Sequence, residues 1–162
     1  MKNKPLVGIV MGSASDRKIM DECVNTLKDM DIHYEITVSS AHRSPEKTRD
    51  YAINASRRGL EVLIAGAGWA AHLAGVLASY TTLPVIGIPI DSSSLKGIDS
   101  LLSTAQMPPG VPVATMAIGK GGARNAALFA AQILALKYTN IAARFNHYKK
   151  NLAAQVNGLK KD

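Results

Sequence analysis

Five short strand-like segments recur along the chain, and most of them are almost entirely apolar. They cover residues 6–11, 34–38, 60–65, 84–90 and 113–118. An uninterrupted apolar run such as residues 6–11 is typical of a parallel strand that is buried on both faces. Segments with helical spacing separate these runs, and this alternation predicts right-handed crossovers. The pattern therefore predicts an α/β fold, a flavodoxin-like arrangement of three layers around a five-stranded parallel sheet.

Residues typical of helix ends mark the first two predicted helices. Ser13 or Ser15 can cap the first helix. The second is expected to begin with Ser44 as its N-cap and Pro45 at its first helical position, and to end at Gly59. The apolar stripe of the first helix consists of Ile19, Cys23, Leu27 and Met30. Further helices are expected up to about residue 80, around residues 98–102 and over residues 119–136.

The last predicted helix begins near residue 140, after the sheet is complete. Its apolar positions step by three or four residues and comprise Ile141, Phe145, Tyr148, Leu152, Val156 and Leu159. This stripe needs a cover, and a neighbouring subunit can supply one at least as well as the helix's own domain. We therefore expect residues 1–162 to form one domain that assembles into a homo-oligomer, with the helix at about 140–160 in subunit contacts.

One segment is long enough in principle to cross a membrane. Residues 62–90 contain no Asp, Glu, Lys or Arg. Glycines, a histidine, two threonines and Pro84 divide the segment into pieces of strand or helix length, and anchoring residues do not flank it. It is expected to form two buried strands with a short helix between them, so no membrane partner is predicted.

Composition narrows the classes of partner. The length of 162 residues suits one domain, and the net charge of +7 favours anionic partners. No basic run is interleaved with aromatic residues, so a phosphorylated small molecule is favoured over nucleic acid. The single cysteine, Cys23, excludes an internal disulfide and a cysteine metal site, and it is expected to be a buried structural thiol. A reducing cytoplasm and the absence of a signal peptide agree with this composition.

Three loops follow the first three strands, at residues 12–16, 39–45 and 66–75. In a doubly wound sheet the loops at the carboxyl ends of the strands converge on one crevice. The first loop, Gly-Ser-Ala-Ser-Asp, offers N–H groups and hydroxyls that suit a phosphate, although it is neither a P-loop nor a GxGxxG motif. Taken alone, this loop is equally well explained as a capped turn.

His42 and Arg43 lie side by side in the second loop. Such a pair in isolation is more often an ordinary polar loop than a site. The neighbouring loops change this, because Arg43 offers a planar donor fork for an anion, while His42 and His72 can exchange protons near neutral pH. The set favours proton transfer on an anionic substrate. A serine hydrolase would need a GxSxG elbow with a paired Asp, and metal hydrolysis would need carboxylates at ligand spacing; neither pattern is present.

Several motifs occur along the chain in the order typical of the class I PurE family, the N5-carboxyaminoimidazole ribonucleotide mutases of de novo purine synthesis, and the chain resembles this family. They comprise GSASD, SAHRSP, AGAG-AAHL-G, QMP with GVPVAT, and AIGK followed by NAAL-AAQIL, within residues 7–136. The resemblance implies a flavodoxin-like subunit in an octamer. It also implies interconversion of the N-carboxylated aminoimidazole ribonucleotide with its carbon-carboxylated isomer, with no metal, ATP or organic cofactor.

The resemblance also implies roles for individual residues. The phosphate would be held by Ser13, Ser15, Ser40 and Arg43, and the ribose by Asp16. His42 would be the general acid and base, moving the proton that restores aromaticity after carbon dioxide is lost and recaptured. The carboxylate or carbon dioxide would be held by Ala67, Gly68 and the backbone toward His72.

Two alternative functions have to be weighed against the mutase. A class II enzyme would carboxylate aminoimidazole ribonucleotide with free carbon dioxide, but the loop with His72 resembles class I. A non-catalytic nucleotide sensor would have no need of His42.

The sequence departs from the family pattern at two positions, because relatives commonly have Gly at the position of Trp69 and Pro at that of Ala74. The tryptophan can narrow the pocket, stack on the imidazole ring or point outward into a subunit contact, and the sequence does not choose among these.

Overall fold

Five parallel strands form the central sheet of the computed structural model, which describes residues 4–158. They are β1 (Val7–Met11), β2 (Tyr34–Val38), β3 (Val62–Ala67), β4 (Val85–Pro89) and β5 (Ala114–Thr115). Their order across the sheet is β2-β1-β3-β4-β5, and every neighbouring pair is parallel. This is the flavodoxin-like strand order, so the predicted fold class is confirmed.

Helices cover both faces of the sheet and complete the three layers. They are α1 (Arg17–Asp29), α2 (Pro45–Ile53), α3 (Ala55–Arg58), α4 (Leu73–Tyr80), α5 (Ile98–Ala105), α6 (Gly119–Ala135) and α7 (Thr139–Gly158), with one 3₁₀ turn at Ala14–Asp16. No helix among residues 4–158 is both long and apolar enough to cross a membrane. Residues 62–90 instead form β3, α4 and β4, as predicted from their punctuation.

Two hydrophobic cores lie on opposite faces of the sheet. One contains the apolar stripe of α1 and the alanine face of α6, and the other contains apolar residues of α2, α3 and α4. Successive side chains of β3 alternate between them: Ile64 belongs to the first core, and Leu63 and Ala65 belong to the second. Because both faces of β3 are buried, its sequence has no polar alternation.

Local structure departs from the sequence predictions in the second loop and the helix that follows it. Ser44 occupies the N-cap position of α2, but its side chain does not cap the helix. Its hydroxyl accepts the Ser40 N–H at 3.1 Å and donates to the Ser40 carbonyl at 3.1 Å, so it closes the preceding turn instead. The predicted single helix is two, α2 and α3, which meet at Asn54. Gly59 does end α3, in the left-handed conformation with φ +98°.

Two strands differ in extent from the predicted segments. β3 begins two residues later than expected and extends to Ala67, so its last residues belong to the glycine-rich segment. The sequence predicts β5 over residues 113–118, but the strand is limited to two residues, which pair with Ile86 and Gly87 of β4. β5 is an edge strand that lies between Pro112 and the start of α6, so few of its residues can form hydrogen bonds with a neighbouring strand.

The last helix, α7, is covered by its own domain only in its first half. Ile141 is buried, and Phe145 and Tyr148 pack against the α1–α6 core. Farther along the helix, Leu152 and Val156 are 43% and 55% exposed. Leu159, the last member of the predicted stripe, lies outside the described residues. The half of the stripe that its own domain leaves exposed is thus the C-terminal one.

Candidate active site

A cavity of about 420 Å³ lies at the carboxyl edge of the sheet, where the loops after β1, β2 and β3 meet. The three loops converge as expected for a doubly wound sheet. All nine residues singled out from the sequence line this cavity: Ser13, Ser15, Asp16, Ser40, His42, Arg43, Ala67, Gly68 and His72. Their proximity is a property of the structure, whereas their individual roles stay predictions.

The loop after β1 is held together by hydrogen bonds among its own residues. Ser13 caps the 3₁₀ turn, and its hydroxyl accepts from the Ser15 N–H at 3.4 Å and from the Ser15 hydroxyl at 2.9 Å. Asp16 completes a capping box, because its carboxylate accepts the Ser13 N–H at 2.9 Å. The hydroxyls of Ser13 and Ser15 therefore lie side by side at the start of the helical segment, in an arrangement that suits an anionic ligand.

Asp16 is a buried carboxyl in a site otherwise suited to anions. Only 5% of the residue is exposed. Burial raises the pKa of its carboxyl above the usual value, and the Ser13 N–H, the Ser15 hydroxyl and the charge of Arg43 only partly offset this effect. The carboxylate faces the cavity as an acceptor, which suits a hydroxyl group of a ligand rather than its phosphate.

The loop after β2 presents Arg43 and His42 to the cavity. The Arg43 N–H donates to the Ser40 hydroxyl at 3.2 Å, within the turn that Ser44 closes. Arg43 is exposed, and within residues 4–158 its guanidinium forms no ion pair with a carboxylate. The guanidinium fork therefore remains available to an incoming anion.

His42 and His72 come together from two different loops. The His42 Nε2 lies 2.7 Å from the His72 Nδ1, and the two rings meet edge to face with centroids 4.8 Å apart. Two imidazole nitrogens can share such a bond only when one carries a hydrogen and the other does not. The contact thus fixes the orientation of both rings and supplies a path for one proton.

The loop after β3 is held by its own backbone and by α5. The Ala71 N–H donates to the Gly68 carbonyl at 3.0 Å, and the Ser103 hydroxyl of α5 donates to the Ala70 carbonyl. Trp69 lines the cavity, and the residue is 65% exposed. Ala74, the other departure from the family pattern, is buried in the core between the sheet and α4.

Sequence reasoning overlooked one lining residue, Ser92, which follows β4. Its position at the carboxyl end of the next strand is the feature that could have identified it. Within the described part of the chain, no three His, Cys, Asp or Glu side chains are grouped as a metal site.

Comparison with known proteins gives a consistent result. Residues 6–155 match the AIR carboxylase family. The N5-carboxyaminoimidazole ribonucleotide mutase of Pyrococcus horikoshii is 54% identical over 153 residues, which cover 94% of this chain and 85% of that protein. The Bacillus subtilis protein of the same name is 52% identical and covers 94% of both chains. The crystal structure of Treponema denticola PurE superimposes with a TM-score of 0.83 at 30% identity, over 94% of both chains.

Proposed function

The chain belongs to the AIR carboxylase family, and from this membership we propose that it is an isomerase of purine biosynthesis. It interconverts N5-carboxyaminoimidazole ribonucleotide and 4-carboxy-5-aminoimidazole ribonucleotide. The observation that carries the proposal is the cavity in which the paired imidazoles of His42 and His72 adjoin an anion-binding loop. Relatives named for the mutase are more than 50% identical over nearly the whole chain, which supports the same reaction.

The nucleotide would lie across the cavity with its phosphate at the first two loops. The hydroxyls of Ser13, Ser15 and Ser40 and the guanidinium of Arg43 supply the donors, and a planar fork suits phosphate oxygens. Asp16, an acceptor beside them, suits a ribose hydroxyl. The imidazole ring then extends toward His42, and its carboxylate toward Ala67, Gly68 and the backbone that leads to His72.

The reaction requires one proton to be given and one to be taken. Breaking the bond between the exocyclic nitrogen and the carboxyl carbon releases carbon dioxide, and the nitrogen takes up a proton. The ring carbon then attacks the trapped carbon dioxide, and it must lose its own proton before the ring is aromatic again. A single group that first donates and then accepts balances the cycle, and we assign this role to His42.

His72 acts with His42 through the 2.7 Å contact between their rings. By holding the His42 imidazole, it reduces the number of orientations from which proton transfer has to start. A small cavity keeps carbon dioxide beside the ring carbon, so recapture occurs without a second encounter in solution.

The direct test is conversion of the N-carboxylated substrate to its carbon-carboxylated isomer, followed by ultraviolet absorbance. Product formed only from aminoimidazole ribonucleotide with bicarbonate would instead assign the class II reaction. Tight nucleotide binding without either conversion would identify a sensor. These three outcomes are mutually exclusive for the purified protein.

His42→Asn tests the proton shuttle. Asparagine keeps hydrogen-bonding capacity but cannot act as a general acid or base, so we expect turnover to fall by about 10²–10⁴-fold with nucleotide affinity largely retained. His147→Asn is the matched control, because His147 is exposed on α7 and bonds only to Asn151 among the contacts described for it. Unchanged turnover in His42→Asn would remove His42 from the mechanism.

We also propose that the chain forms one domain of this family and assembles into an octamer in the cytoplasm. The exposed apolar residues of α5, with those on the second half of α7, support self-association: Ile98, Leu102, Leu152 and Val156. A buried free thiol suits a reducing compartment. Sedimentation at micromolar concentration tests the assembly, and a monomer would refute it.

A further inference from the structure

The chain contains one tryptophan, Trp69, on the loop between β3 and α4. It lines the cavity, yet the residue is 65% exposed. Exposure of an indole leaves a large apolar, aromatic surface in water at the edge of the site. The residue is therefore placed where a bound ligand, rather than the protein core, can cover it.

The backbone of this residue is strained. Trp69 has φ +56° and Ala71 has φ +43°, both in the left-handed region that bulky and branched residues seldom adopt. The hydrogen bond from Ala71 to Gly68 and the one from Ser103 to Ala70 hold the loop in this form. Within the chain the exposed indole gains little burial that would offset the strain. Contact with a ligand would offset it, as is common for strained residues at functional sites.

We propose that the Trp69 indole stacks on the aminoimidazole ring of the bound nucleotide and so contributes affinity for the planar base. This inference rests on the proposed function. The phosphate donors lie on the other two loops, at Ser13, Ser15 and Arg43. Trp69 instead shares its loop with His72, whose ring contacts His42. Since the substrate ring has to reach His42 to exchange a proton, the ring is the part of the nucleotide that lies beside Trp69.

Because Trp69 is the only tryptophan, its fluorescence reports on this contact directly. Titration with 4-carboxy-5-aminoimidazole ribonucleotide should quench or shift the emission of the unmodified protein. Ribose 5-phosphate, which has the sugar and phosphate but no ring, should bind without this change. As a control, the double variant Trp69→Phe, Tyr80→Trp moves the fluorophore to the exposed end of α4, outside the cavity lining, where the nucleotide should leave the emission unchanged.

Substitutions measure the contribution. Stacking of a base on an aromatic side chain is worth about a 5- to 150-fold change in affinity. We expect Trp69→Gly to raise KM and the product dissociation constant by a factor in this range with kcat nearly unchanged, because the ring is present throughout the reaction. Trp69→Phe should restore most of the affinity. Trp69→Gly should also unfold at a temperature equal to or above that of the original protein, because glycine accepts a positive φ without strain.

The outcomes separate this inference from the proposed function. Normal turnover combined with unresponsive fluorescence and an unchanged KM in Trp69→Gly would refute the stacking alone. A smaller sedimentation coefficient for Trp69→Gly would also refute it, since the indole would then serve a subunit contact. Absence of turnover and of nucleotide binding in the unmodified protein would refute the proposed function itself.

Discussion

Replacement of Gly68 with alanine tests how closely the loop after β3 must approach the end of β4. A Cβ at this position would lie 1.8 Å from the Ser92 Oγ, 3.1 Å from the Ser92 Cβ and 3.0 Å from the Ile90 carbonyl oxygen. Rotation of the Ser92 side chain relieves the first contact. The other two involve backbone-fixed atoms, so either the loop or the end of β4 must shift by a few tenths of an ångström.

The size of the effect follows from this geometry. Overpacking of this kind typically costs about 1–3 kcal/mol, and for a chain of this length each kcal/mol lowers Tm by about 2–4 °C. Because a 1 Å misplacement in an active site can cost about 10²-fold in rate, we expect kcat to fall by about 10-fold for this smaller shift. Thermal unfolding and the mutase assay measure the two effects on the same preparation.

A double-mutant cycle with Ser92→Gly identifies the clash as the cause. Ser92→Gly removes both Ser92 atoms from the path of the new Cβ and leaves only the 3.0 Å contact with the Ile90 carbonyl oxygen. The double variant should recover most of the Tm and kcat lost by Gly68→Ala, with a coupling energy of about 1 kcal/mol. If Gly68→Ala alone changes neither Tm nor kcat, or if the effects of the two substitutions are additive, the steric argument is wrong.

Three further predictions follow from buried and paired groups. Burial raises the pKa of Asp16, so ionisation of its carboxyl lowers the stability of the fold as pH rises. The Asp16→Asn variant should therefore have a Tm at pH 7 equal to or above that of the original protein, and a higher KM. A clearly lower Tm would contradict this. Burial opposes ionisation of Glu61, but the hydrogen bond from Lys137 at 2.6 Å helps to lower its pKa below 4.5. The ionised Glu61 therefore stabilises the fold above that pH, and this stabilisation is lost as pH falls through the lowered pKa. Glu61→Gln should reduce the urea midpoint of unfolding at pH 7 but not at pH 2. Equal losses at both pH values would show that the charge is not the cause. Burial raises the pKa of Cys23 to about 12, so a thiol reagent should label one thiol per chain in denaturant and none in the native protein.

Much of the fold could be predicted because its main determinants are local. An apolar run such as residues 6–11 or 84–90 predicts a strand buried on both faces, and helical spacing predicts the helices that pack beside it. The location of the candidate residues at one edge of the sheet could be predicted as well, because the loops that follow parallel strands lie at the same edge. The predictions failed where tertiary context decides: β5 pairs on one side only, and Ser44 bonds to Ser40 rather than to its own helix.

Other features of the site depend on contacts between distant parts of the chain. The 2.7 Å contact between His42 and His72 joins residues 30 positions apart, and their spacing in the sequence carries no information about it. Ser92 enters the cavity because β4 lies beside β3. The left-handed conformation of Trp69 is opposed by its own residue type and is maintained by the surrounding loop. The motifs thus identify the candidate residues, whereas the geometry that relates these residues depends on the tertiary structure.

The charge of the site shows how recognition differs from simple attraction. The chain carries a net charge of +7, yet Arg43 is the only lysine or arginine among the described residues that line the cavity. The proposed substrate carries a phosphate and a carboxylate, more negative charge than one guanidinium offsets. In the proposed complex, the remaining interactions would come from backbone N–H groups, from the hydroxyls of Ser13, Ser15 and Ser40, and from the imidazole pair. We therefore expect the dispersed positive charge to assist encounter with anions, and selection of the nucleotide to rest on directed hydrogen bonds within the three loops.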